Sequence, residues 1–112
     1  MGSPASWAGG LSNQSSTATG SGAAETCNAQ SGVITTESLS TASGAVSTRT
    51  LTNSFITAAS LVFVQIMGGS NTTVVGVTAF VSAVAAGSAT IKIANISGSA
   101  LNGTIVYSFL VL

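Results

Sequence analysis

Charge is what this chain of 112 residues has least of. Four side chains carry it, Glu25, Glu37, Arg49 and Lys92, and there is no Asp and no His. They make up 4% of the residues, where an ordinary soluble domain has about 25%. Formal net charge is zero, so self-repulsion does nothing to hold copies apart.

Each absence excludes a class of chemistry. A nucleophilic Ser, Thr or Cys needs a base beside it, and without His the one candidate near neutral pH is Lys92. Its alternation with Ile91 and Ile93 puts Lys92 on a wet face, as a solvated surface charge. Glu25 and Glu37 are read as lying apart, one on a polar arm and one at a strand end, so no acid–base pair is expected. Metal binding lacks ligands. Two cations cannot neutralise a run of phosphates, which excludes a nucleic-acid partner. Cys27 is alone, so there is no internal disulfide, and nothing nearby activates its thiol; it reads as a small apolar filler. The stretch Gly20 to Glu25 fails the last glycine of a dinucleotide-binding pattern and reads as a linker. No enzyme activity and no cofactor is expected.

Long apolar runs are also missing, although mean hydropathy is +0.63. The longest, from Val74 to Ala86, is about 13 residues where a membrane-spanning helix needs about 20. Met1 to Gly10 shows neither a basic nor an apolar signal region, and synthesis in the cytoplasm is expected.

What is present divides in two. Residues 1–30 are dominated by Ser, Gly, Ala, Thr and Asn with no hydrophobic period, and read as an extended N-terminal arm. Such a segment cannot form its own core, so a partner surface is the expected means of ordering it. Trp7 and Leu11 are its bulky apolar residues besides Met1. A Trp on an arm suits an anchor in a neighbour's pocket, with packing on its own domain as the alternative.

Residues 31–112 read as a β-sandwich, a single domain with a small core of about 80 residues. Runs rich in Val, Ile, Thr and Phe alternate with Gly, Ser and Asn clusters. The expected strands are Val33 to Ser38, Ser47 to Asn53, Ser60 to Met67, Thr73 to Thr78, Ala79 to Ala85, Thr90 to Ile96 and Thr104 to Leu112. The two central runs can also be one bent strand. Turns are expected at Ala42 to Gly44, Gly68 to Asn71, Ala86 to Ser88 and the hairpin-type dipeptide Asn102-Gly103.

Two of these strands are apolar on both faces. Leu61, Phe63 and Met67 alternate with Val62, Val64 and Ile66, and Ile105, Tyr107, Phe109 and Val111 alternate with Val106, Leu110 and Leu112. One sandwich has one inside, and each large side chain left in water forfeits about 1.5–3 kcal/mol of burial. The surplus face is therefore expected against another subunit, with Phe63, Tyr107 and Phe109 as interface residues, unless the arm or a loop covers it. Arg49, alone among threonines, reads either as an edge-strand charge that discourages stray pairing or as an interface anchor.

The strings Ser31-Gly32-Val33-Ile34-Thr35-Thr36, Leu51-Thr52-Asn53-Ser54-Phe55-Ile56-Thr57-Ala58, Ser88-Ala89-Thr90-Ile91-Lys92-Ile93 and Ala100-Leu101-Asn102-Gly103-Thr104-Ile105 give residues 31–112 a texture that resembles capsid cement or decoration proteins of tailed bacteriophages. The resemblance implies an antiparallel, jelly-roll-like sandwich and a homotrimer on the capsid exterior of the virion. It also implies a role in stapling neighbouring major capsid subunits. It brings no catalytic residues, and the arm lies outside it. A trimeric tail-fibre or receptor-binding module would share the texture, but the repeats or the exposed aromatic and acidic patch expected of one are missing.

Overall fold

The computed structural model describes residues 15–73 and 76–112. Eight strands run through them: β1 (Ser15–Thr19), β2 (Ala24–Thr26), β3 (Ser31–Thr35), β4 (Val46–Thr52), β5 (Val62–Gly68), β6 (Val77–Ala85), β7 (Ser88–Asn95) and β8 (Val106–Val111). They form two four-stranded sheets packed face to face, a β-sandwich. Sheet one has the order β1-β3-β8-β5 and sheet two the order β2-β4-β7-β6.

The fold is all-β as the residue pattern predicts, but the sheets are mixed and not purely antiparallel. The chain crosses between sheets at nearly every connection, and only the β6–β7 hairpin, turned at Ala86-Gly87, stays in one sheet. After two crossings a strand runs in its original direction. So β1 pairs parallel with β3, and β2 parallel with β4.

Alternation decides what each strand buries. On β7, Ala89, Ile91, Ile93 and Asn95 point inward while Thr90, Lys92 and Ala94 are part-exposed on the outer face. On β8, Tyr107, Phe109 and Val111 continue the inward row begun by Ile105. Ile34 and Leu51 meet them from β3 and β4, and Val62, Val64, Ile66, Val81 and Val84 close the core from the edge strands. A second cluster of Leu39, Ile93, Leu101 and Ile105 fills the other end. Cys27 and Ala29 are buried beside the first.

Three readings of the sequence change here. The first is the arm's boundary. Residues 15–30, read as arm, belong to the sandwich, because Ser-Ser-Thr-Ala-Thr and Ala-Glu-Thr form edge strands that need only one or two inward side chains. Residues 1–14, with Trp7 and Leu11, lie outside the described residues. Second, of the described residues of the first central run only Val77 and Thr78 are strand, continuous with Ala79 to Ala85 in β6, while Thr73 lies in a turn; the register of β6 is irregular between Val81 and Ala83. Third, Asn102-Gly103 does not turn a hairpin. The segment after β7 crosses from sheet two to sheet one, and Gly103 bridges to Leu39 instead. The Asn102 side chain ties this crossing to the loop after β5, accepting from the Thr72 N–H at 2.9 Å.

Buried asparagines hold the other crossings. Asn53 donates to the Ala29 carbonyl at 2.6 Å and accepts from the Phe55 N–H at 2.8 Å. Asn95 donates to the carbonyls of Thr41 and Ser99 and accepts from the Ser97 N–H. The peptide groups of these loops lie outside the strand ladders, so side-chain amides satisfy them. Of the four N-x-Ser/Thr triplets in the sequence, at Asn13, Asn71, Asn95 and Asn102, those at Asn71 and Asn95 begin with a buried asparagine.

Candidate interaction surface

Three of the four charged residues meet in one cluster, with Arg49 and Glu25 buried inside the sandwich and Glu37 part-exposed at its rim. Arg49 lies on β4, which is flanked by β2 and β7 and is no edge. Its alternation with Leu51 turns it inward while Thr48, Thr50 and Thr52 face out. The guanidinium is fully buried. It donates from Nη2 to Glu25 Oε1 at 3.0 Å and from Nε at 3.2 Å. From Nη1 it reaches Glu37 Oε2 at 3.3 Å, and Nη2 also contacts Glu37 Oε1.

Two carboxyl groups thus share one guanidinium, and other donors fill their remaining acceptor positions. The Tyr107 hydroxyl donates to Glu25, and the Ala23 N–H donates to Glu37 Oε2 at 3.0 Å. Ala23 has φ of +63° and follows Gly22 at +61°, so the Glu37 carboxyl secures a left-handed turn that an alanine adopts at a cost. Gly20 sits against the cluster, and a Cβ there would stand 2.7 Å from Arg49 Nη2.

Electrostatics follow from this packing. The hydrogen bond from Arg49 holds the Glu37 carboxyl below the usual carboxylate range, against a smaller opposing effect of burial. Burial pushes the Tyr107 hydroxyl up, and the Glu25 carboxyl beside it adds to the shift. Burial alone would lower the Arg49 value, but hydrogen bonds to Glu37 and Glu25 outweigh it and raise it.

The interface expected of Arg49, Tyr107 and Phe109 is thereby corrected: all three are interior groups of their own subunit. Arg49 is neither an edge charge nor a surface anchor. Glu25 and Glu37, read as lying apart, converge on it. The signal available in the sequence was the arithmetic of one arginine and two glutamates in a chain otherwise almost free of charge.

Phe63 is the exception, more than half exposed on β5. With the core on the side of Val62, Val64 and Ile66, the outer face of sheet one receives Leu61, Phe63 and Met67 from this edge and Leu112 from the end of β8, each more than half exposed. Phe63 stands opposite Leu110, and Gln65 opposite Ser108. Leu110 and Val106 are half-buried on the same side. This face carries no charge among the described residues, and side chains of this size left in water together mark a contact surface more often than chance exposure.

The outer face of sheet two differs in kind. Thr26, Thr48, Thr50, Thr52 and Thr78 are exposed on it, with Thr90 and Lys92 part-exposed. Phe80 is its exposed aromatic. The β5–β8 half of sheet one's outer face is apolar, while Thr17, Thr19, Ser31 and Thr35 line its other half; the outer face of sheet two is mostly hydroxyls, with Val46 and Phe80 exposed among them, and holds the remaining charge. The chain matches no protein-family model, no curated protein and no solved structure, so this contrast between its two faces carries the functional reading.

Proposed function

We propose that this chain is a structural virion protein, without catalytic activity, that binds the outer surface of a phage capsid and staples neighbouring major capsid subunits. The observation that carries the proposal is the uncharged apolar patch that Leu61, Phe63, Met67 and Leu112 form on the β5–β8 half of sheet one's outer face. Three of four charges are paired with one another in the Arg49 cluster, and the fourth, Lys92, lies on the outer face of sheet two. The face around Phe63 therefore suits a broad protein surface, held by apolar contact and hydrogen bonds. The resemblance of residues 31–112 to capsid decoration proteins names the kind of surface. The strand order, with β3-β8-β5 facing β4-β7-β6, supports reading the sandwich as jelly-roll-like.

On the particle the copies are proposed to stand as homotrimers, so that each subunit is held by its neighbours as well as by the capsid. A census of purified virions tests the reading. The chain is expected in numbers that scale with the capsid subunits. A copy number matching the fibres would replace this function with the receptor-binding one, and absence from the particle would end both.

A further inference from the structure

β5 is an edge of sheet one, and its far side has no neighbouring strand among the described residues. Main-chain groups alternate along it. Leu61 and Leu112 exchange both of their N–H to carbonyl bonds, at 3.1 and 2.8 Å, so in the same register Phe63 and Gln65 also turn their peptide groups toward β8. Val62, Val64 and Ile66 therefore point theirs to the open side. The Val111 N–H agrees with this, since it turns away from its cross-strand neighbour Val62 to the Gln30 carbonyl at 2.8 Å.

An open edge is a template for another strand, and proteins usually blunt it with short length, charge, proline or a bulge. β2 has only three residues, and β6 is interrupted between Val81 and Ala83. β1 offers hydroxyls and alanine, with no large apolar side chain. β5 has neither charge nor proline, and its one irregularity comes after Ile66, which leaves Val62 to Ile66 regular.

The occupant that fits this edge is β5 of a second copy. In an antiparallel pair centred on Val64, Val64 meets Val64 and Val62 meets Ile66, so every outward N–H of one copy finds an outward carbonyl of the other. The same register sets Phe63 opposite Gln65 and Leu61 opposite Met67 on the outer face, in the non-hydrogen-bonded positions where side chains lie closest. Leu61, Phe63 and Met67 are each more than half exposed, and each gains a neighbour. Beside Gln65 the outer face holds a hollow of about 370 Å³ lined by Phe63, Val64, Gln65, Ser108 and Leu110. A cavity of about 150 Å³ holds a benzene ring, so the hollow has room for the phenyl group that the second copy brings over Gln65. Neither strand carries charge, so no repulsion opposes the pairing.

The area sets the strength. A strip about 23 Å long and about 15 Å deep, half the spacing between sheets plus the outer side chains, covers roughly 350 Å² per copy. Roughly 700 Å² in all is about half of a standard stable interface and belongs to the reversible class. Dissociation in the micromolar range is expected.

We propose that β5 pairs antiparallel with β5 of a second copy about a two-fold axis at Val64, joining the four strands of each sheet one into a sheet of eight and seating Phe63 of each copy in the hollow of the other. One consequence alone rests on the proposed function: a two-fold contact cannot close a trimer, so on the particle it links one trimer to the next.

Sedimentation velocity of the free full-length protein, from low micromolar to submillimolar concentration, is expected to show monomer passing into dimer. Gln65→Lys puts a charge on the edge at an exposed position, so far-UV circular dichroism should keep its β signature while the dimer is lost. Cysteines read the register. Phe63→Cys and Gln65→Cys proteins, mixed and oxidised, should form a disulfide-linked dimer, and the buried Cys27 stays out of it. Phe63→Cys alone should link poorly, because residues 63 of the two copies stand roughly 8 Å apart, beyond the reach of a disulfide. Three results would overturn the proposal: monomer at every concentration, a dimer that survives Gln65→Lys, or no more cross-linking in the mixture than in either protein alone. None of these depends on any capsid.

Discussion

Tyr107, in the centre strands of sheet one, donates its buried hydroxyl to Glu25 on the edge strand of sheet two, and so joins the two sheets by a polar contact inside an apolar core. Arg49 completes the connection from the other side of the same carboxyl group. The shortest strand of the fold, β2, is held by this contact more than by apolar packing, since Ala24 and Thr26 are exposed and Glu25 alone points inward.

Removing Arg49 or Glu25 strands the other without water. Arg49→Met should destabilise the protein by about 3–5 kcal/mol, the usual result of breaking a buried pair from one side. The double variant Arg49→Met with Glu25→Leu should lose clearly less than the sum of the two single losses, because it removes the unpaired groups as well. Denaturant unfolding of the four proteins measures the coupling. Additive losses would mean that Arg49 and Glu25 act independently despite their 3.0 Å contact.

The cluster also sets two pH limits. Glu37 has a lowered value in the folded state, so its contribution is fully present above the ordinary carboxylate value of about 4.3 and is lost as pH falls through the lower folded value. Tyr107 has a raised value. Its contribution is complete below the unfolded value of about 10, and stability then falls with rising pH while the unfolded chain releases a proton that the folded chain retains. Thermal midpoints are expected to be level between these limits and to drop beyond each. Tyr107→Phe should abolish most of the alkaline drop, and Glu37→Gln should reduce the acid one.

Much of this fold was legible because β-strands alternate. Ile91 and Ile93 against Lys92 placed β7 and its wet face, and the glycines near residues 44, 68 and 87 placed the turns. Two kinds of feature were not legible. The strands β1 and β2 are nearly all Ser, Thr and Ala, so they show no hydrophobic period, and sheet edges require none. The inward turn of Arg49 follows from alternation with Leu51, but a burial rule argues against it until Glu25 and Glu37 are seen to share its location. Likewise Phe63 and Phe109 belong to strands apolar on both sides. Only the position of the opposite sheet decides that Phe109 is core and Phe63 is surface.

Glycine substitutions separate a conformational cost from a steric one. Gly44 and Gly69 have φ of +79° and +127°. A Cβ at Gly44 meets nothing within 4 Å, whereas at Gly69 it would stand 2.2 Å from the Thr104 carbonyl oxygen and 2.9 Å from the Ile105 Cα. Gly44→Ala should therefore cost about 1–2 kcal/mol, the penalty of a left-handed alanine. Gly69→Ala should cost well beyond that, because backbone must move to admit the methyl group. Equal losses in urea unfolding would show that the crossing at residues 103–105 yields freely.

Docking through an uncharged face has a salt signature. If attachment to the particle ran through Lys92, occupancy would fall steeply as sodium chloride rises, because screening at about 0.5 M confines an exposed charge to within about 4 Å. With Lys92 on the opposite sheet and the charges of the Arg49 cluster paired with one another, occupancy should be nearly flat from low salt to about 0.5 M. The faces can be tested separately on undecorated particles. Met67→Ser and Leu61→Ser remove exposed side chains from the outer face of sheet one and should weaken attachment, each loss reflecting the forfeited burial of about 1.5–3 kcal/mol. Lys92→Gln and Thr50→Ser change the outer face of sheet two and should leave attachment as it is. A steep salt dependence together with loss on Lys92→Gln would reverse the orientation, placing the hydroxyl-covered face against the capsid and the apolar face toward other copies of the chain.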